Sequence, residues 1–226
     1  MRSDVCKSGM QQQFQALAES GGSLVMGSSV MTFFDGLSRQ DKQFVKDSIG
    51  LAEYQADLLY DRKRDPGNWF EYYTGALWSV GWSLEHDAKV IVDRDFSGDV
   101  LDTWATALSL EVSRATVKKV TETFQLLEGS AEGVELLTGS ARKWGDFRFL
   151  PVQYNMHKEL EIVLSNVRLL SLEWNSSYLF WKVRYSQSQL DMHARRFVIT
   201  PRQMDMHRSK LSAAVIELRQ KEIELA

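Results

Sequence analysis

The sequence predicts an α+β fold, with an N-terminal helical layer, then an antiparallel β-meander of about four strands, then a C-terminal amphipathic helix. Three observations predict it. Apolar residues recur at helical spacing after Ser38, hydrophobic and polar residues alternate with period two from Phe147 onward, and Pro201 opens a segment that returns to helical spacing. Length and balance agree. The chain has 226 residues, 44% hydrophobic and 25% charged, which is the composition of a globular protein with a sizeable core.

The elements follow in order. Residues 1–25 read as a poorly ordered N-terminal segment, with a short helix between Met10 and Ala18 and a break at Gly21-Gly22-Ser23. Residues 26–226 read as a single α+β domain. A composition shift near Gly145 divides it into a helical half, 26–144, and a sheet-plus-helix half, 145–226. The small, apolar stretch 24–37 reads as a short buried helix ending near Gly36. Ser38 with Asp41 has the form of a capping box. Val45, Ile49, Ala52, Ala56 and Leu59 then fall on one helical face, and the charged run Asp61 to Asp65 is expected to end that helix in water.

Pro66-Gly67 turns the chain, and Asn68 with Glu71 suggests a second cap. Trp69, Tyr73, Leu77 and Val80 form one stripe of the next helix, and Trp78 and Trp82 form another, so this helix is expected to be central. Residues 88–92 are β-like. Ser97 or Asp99, then Ser113, then Ser130 are placed to cap three short helices. The period-two segments are Phe147/Phe149, Leu160/Ile162/Leu164, Leu179/Trp181/Val183/Tyr185 and Phe197/Ile199. Asn175-Ser176-Ser177 and Ser186 to Gln189 read as hairpin turns between them. Pro201 starts a final helix of about 24 residues.

Charge and motifs exclude several functions. A net charge of -3, with Arg195, Arg196, Arg202, Arg208 and Lys210 interrupted by apolar and acidic residues, speaks against nucleic acid. Cys6 is the sole cysteine, so no intrachain disulfide forms, and its place in the N-terminal segment gives it no rigid shell for nucleophilic chemistry. No apolar h-region opens the chain and no run of about 18 apolar residues occurs, so cytoplasmic residence is the default, compatible with signal-independent release. Walker, zincin, dinucleotide and nucleophile-elbow motifs are missing, and no cofactor is expected.

Glu85-His86-Asp87 is the one acid/base cluster a catalytic reading has to offer, and a solvated turn in which the adjacent side chains splay apart is the favoured reading. Asp191-x-His193 is echoed by Asp205-x-His207. The second copy falls in a helix, where i and i+2 diverge, so no metal site is expected. Trp174, Tyr178 and Trp181 surround a predicted hairpin turn and are the candidate contact residues. The first expectation is therefore a non-enzymatic binding protein presenting a sheet and hairpin surface to a protein, glycan or lipid partner. A membrane-active effector inserting helix 24–35 or hairpin 160–186 is the alternative, followed by an enzyme of unfamiliar type.

Overall fold

The strand Ser29–Phe33 is buried at all five positions, which requires that both faces of its sheet be covered. The computed structural model describes residues 21–85, 89–170, 181–216, 218 and 222–225, and in them six helices enclose an eight-stranded sheet. The strands are β1 (Gly22–Met26), β2 (Ser29–Phe33), β3 (Ser83–Leu84), β4 (Lys89–Asp99), β5 (Phe147–Tyr154), β6 (Leu160–Leu170), β7 (Lys182–Ile199) and β8 (Glu222–Leu225). The helices are α1 (Arg39–Leu59), α2 (Pro66–Ser79), α3 (Val100–Ala107), α4 (Arg114–Gly129), α5 (Ala131–Trp144) and α6 (Pro201–Ala214). The sheet runs β3-β7-β6-β5-β2-β1-β8, and β4 pairs with β7 further along the same strand. Every pairing is antiparallel except that of β2 with β5.

The α+β class holds, but the sheet is larger than a four-strand meander and its strands do not simply follow the helices. The stretch 24–37 is a hairpin, not a helix. Gly27, at φ 57°, supplies the left-handed residue of a tight turn, and Met26 pairs with Ser29 across it. A short apolar run has no periodicity when both faces are buried, so a strand there looks like a core helix. β1 starts at Gly22, inside the segment expected to be poorly ordered, and its Val25 is fully buried. The turn expected at Ser186 to Gln189 lies within β7, which continues unbroken to Ile199. The final helix stops at Ala214, after 14 residues, and the chain returns as β8 beside β1.

Caps behave as local chemistry dictates. The side chains of Ser38, Asp99, Ser113 and Ser130 each accept from a backbone N–H of the following helix. α2 differs: it opens on Pro66, with Asp65 rather than Asn68 at the N-cap, because proline's fixed φ suits the first turn. Its outer side is not covered either, since Trp78 is 59% exposed; Trp82, expected on the same stripe, lies beyond the end of the helix and is buried.

Two cores flank the sheet. On one face Met31, Leu150, Ile162, Leu164 and Phe197 pack under α1, α2 and α6. On the other Val30, Phe149, Val163, Val167 and Met192 pack under α3, α4 and α5. The same strands supply both cores through alternate residues, which is why β6 is buried at its first eight positions.

Candidate functional site

On the α2 face the sheet changes from apolar to polar along its strands. Ser29 pairs with Arg148, Arg148 with Asn166, Asn166 with His193 and His193 with Val90, so one polar row crosses from the interior to the edge strand β4. In the next row Arg168 pairs with Asp191 and Asp191 with Val92. Opposed residues share a face, so both rows point toward α2 and beyond its far margin.

The interior end is a buried ion network. Arg62 leaves the end of α1, and its side chain is fully buried. It donates to Glu53 Oε1 at 2.6 Å, to Ser28 Oγ at 2.7 Å and to both carboxylate oxygens of Asp146. Arg148 donates to the same Ser28 Oγ at 2.7 Å and to Ser29 Oγ at 3.1 Å, and pairs with Glu53 Oε1 at 3.0 Å. Both guanidiniums lie over Trp69, at 4.3 and 5.3 Å from its ring, and Trp69 Nε1 donates to Asp57 Oδ1 at 2.6 Å.

Two cations face two carboxylates here, which is the condition for burying them at all. Burial alone would raise Glu53, but Arg148 and Arg62 overcome it and hold the carboxyl at about 2. Asp57, with burial prevailing over the Trp69 bond, is pushed up. Burial also raises Tyr73, which keeps its hydroxyl protonated.

At the rim, His193 Nε2 and Asp191 Oδ1 lie 3.0 Å apart, and this bond holds the Asp191 carboxyl below the usual carboxylate range. The imidazole meets Phe70 edge-on at 5.7 Å. Arg195 donates to Thr74 Oγ1 at 2.6 Å and to Glu71, and lies 5.2 Å over Phe70. Among the described residues the side-chain hydrogen bond of His193 is the one to Asp191. Buried polar atoms concentrate along the rows. Tyr73 Oη, Arg148 Nη1, Asn166 Oδ1, Arg168 Nε and Arg195 Nε have no hydrogen-bond partner among the described residues.

The outer end is β4. Among the described residues it pairs with β7 alone, and Val90 and Val92 are 51% and 55% exposed.

The sequence candidates fall as follows. Trp174, Tyr178, His86, Asp87 and Cys6 lie outside the described residues. Trp181 is fully buried in the second core, its ring edge-on to Phe124 at 5.4 Å, which corrects its reading as an exposed contact residue. Glu85 is an exposed partner of Arg196 at 3.6 Å. Asp191 and His193 do share a face, as the strand spacing predicts, whereas His207 lies on α6 against Gly81. Among the described residues no group of three or more His, Cys, Asp or Glu is placed to hold a metal. The apolar stretch 24–35 is strand and turn rather than an interfacial helix, and no described helix is long and apolar enough to cross a membrane.

Arg62, Arg148 and Glu53 were not legible as a cluster. Arg62 belongs to a charged run that reads as solvated, and Arg148 alternates with Phe147 and Phe149 as an outward residue would. Only the covering of the second face turns both inward.

The chain matches no family model and no curated protein. Among solved structures it resembles "Structure of the Evf virulence factor", at 10% identity and a TM-score of 0.37, over 98% of this chain and 92% of that chain. A likeness that slight does not bear on function.

Proposed function

We propose that this chain is a non-enzymatic binding protein whose edge strand β4 receives an extended segment of a partner protein. The observation that carries the reading is the edge itself. β4 is eleven residues long, pairs on one side only among the described residues, and exposes Val90 and Val92 beside it. An unpaired strand edge offers a row of N–H and C=O groups, and strand addition satisfies them while flanking side chains set specificity. The polar rows behind β4 suit this role. Arg148 is tied to Glu53 and His193 to Asp191, which stiffens the sheet under the edge. A membrane-inserting hairpin of 160–186 has less support, because β6 and β7 would have to leave the middle of the sheet.

A photo-crosslinking residue placed at Val90, in cells making the full chain, is expected to give a protein adduct. The same residue at Lys118, an exposed position on α4, is expected to give none. Adduct formation at Trp78 but not at position 90 would overturn the assignment to the edge.

A further inference from the structure

We infer that the segment received by β4 is β4 of a second copy of the same chain, joined about a two-fold axis passing through Ile91. The inference rests on the reading of β4 as a binding edge. The straight part of that edge is short. β4 holds one register with β7 from Lys89 to Asp93, and the register then shifts between Asp93 and Phe96 and again before Gly98. Bulges bend a strand and spoil its edge for further pairing, so the usable template is Lys89-Val90-Ile91-Val92-Asp93.

That pentapeptide is complementary to its own reverse. In an antiparallel pair with Ile91 opposite Ile91 of the second copy, Lys89 faces Asp93 of the second copy, and Val90 faces Val92. Each of these pairings then occurs twice, as an isologous two-fold contact demands. Lys89 and Asp93 are both exposed, and Ile91 already packs against the second core from the inner side. Other registers fit worse. Moving the axis by half a residue toward Val92 sets Lys89 against Arg94 and Val90 against Asp93. Moving it toward Val90 sets Lys89 against Val92. In the favoured register, four valines from two copies close over one another on the α2 side, which covers apolar surface that a single copy leaves to water. The two sheets become continuous.

Sedimentation velocity on the full chain over a range of concentrations tests this. A dimer in concentration-dependent equilibrium with monomer is expected. Lys89→Asp and Asp93→Lys each place like charges opposite one another twice, and each should weaken the dimer about tenfold or more. The double variant restores both opposite-charge pairs and should recover dimerisation to near the parent value. Circular dichroism confirms that all three variants are folded, as exposed positions should allow. A chain that is monomeric throughout, a dimer indifferent to the single changes, or a double variant as weak as the singles overturns the inference. The binding-edge reading fails separately. If position 90 crosslinks only to a different protein while the chain stays monomeric, that reading stands and this one falls. An adduct of twice the chain's mass supports both.

Discussion

Glu53 shows how one residue is held in a state its surroundings alone would forbid. Its side chain is almost wholly buried, yet two guanidiniums keep it ionised, at about 2 against an ordinary 4.5. A carboxyl depressed by folding contributes stability that is complete above its unfolded value and is lost as pH falls through its folded value. The network should therefore weaken between about pH 4.5 and about pH 2. Glu53→Gln removes the charge and leaves Arg62 and Arg148 sharing Asp146, so urea denaturation at neutral pH should show a loss of about 3–5 kcal/mol. The acid limb of the variant should be flatter than the parent's, and an unchanged acid limb would mean that another carboxyl governs it. Gly81 makes a second case. It sits at φ +96°, and a Cβ there would lie 2.8 Å from the His207 ring and 3.2 Å from Ile199. Gly81→Ala should cost about 1–3 kcal/mol, and His207→Ala should relieve the contact with the ring but neither the Ile199 contact nor the backbone strain. The double-mutant cycle in urea separates the two parts.

Elements were legible to the extent that their signals are local. The caps at Ser38, Ser113 and Ser130 were readable, and Asp99 as one of two candidates beside Ser97, because an N-cap needs only a short polar side chain and the three residues after it. Ser130→Ala should thus cost about 1 kcal/mol, seen as a lower melting temperature. β1 and β2 were not readable as strands, because burial on both faces erases the alternation that would reveal them. The polar rows failed for the opposite reason. Arg148, Asn166 and His193 keep a clean alternation, but the face they occupy is covered by α2, and only tertiary structure decides that. The edge of β4 was partly visible, as a β-like run over 88–92, while its exposure was not. Because Val92 is more than half exposed, Val92→Lys should change folding stability by no more than about 0.5 kcal/mol and yet abolish crosslinking at position 90. A large destabilisation would show that Val92 belongs to the core rather than to a contact surface.

For the whole molecule the question is whether two cores behave as one. Chains of this length often unfold through intermediates, and a helical layer on each side of a sheet is a natural line of division. Three features oppose that division. The central strands carry first-core and second-core residues alternately, so neither face can open without disturbing the backbone of the other. Arg62 and Asp146 bind the loop after α1 to the entry of β5, across the point where the sequence suggested two halves. β2 and β5 also pair across that point, and β8 returns from the C-terminal end to seal β1. The two cores should therefore share one cooperative transition. Leu150→Ala, a truncation in the first core only, should cost about 2–5 kcal/mol. Native-state hydrogen exchange should then show the slowest amides of α4, which covers the opposite face, losing protection by the same free energy. If α4 keeps its parent protection while α1 and α2 lose theirs, the faces unfold independently. A jointly stabilised sheet matters for the edge it presents. The straight part of β4 pairs along β7 where Leu190, Met192 and Ala194 are buried in the second core, so a rigid pairing template at the margin requires that the layer beneath it not be loose.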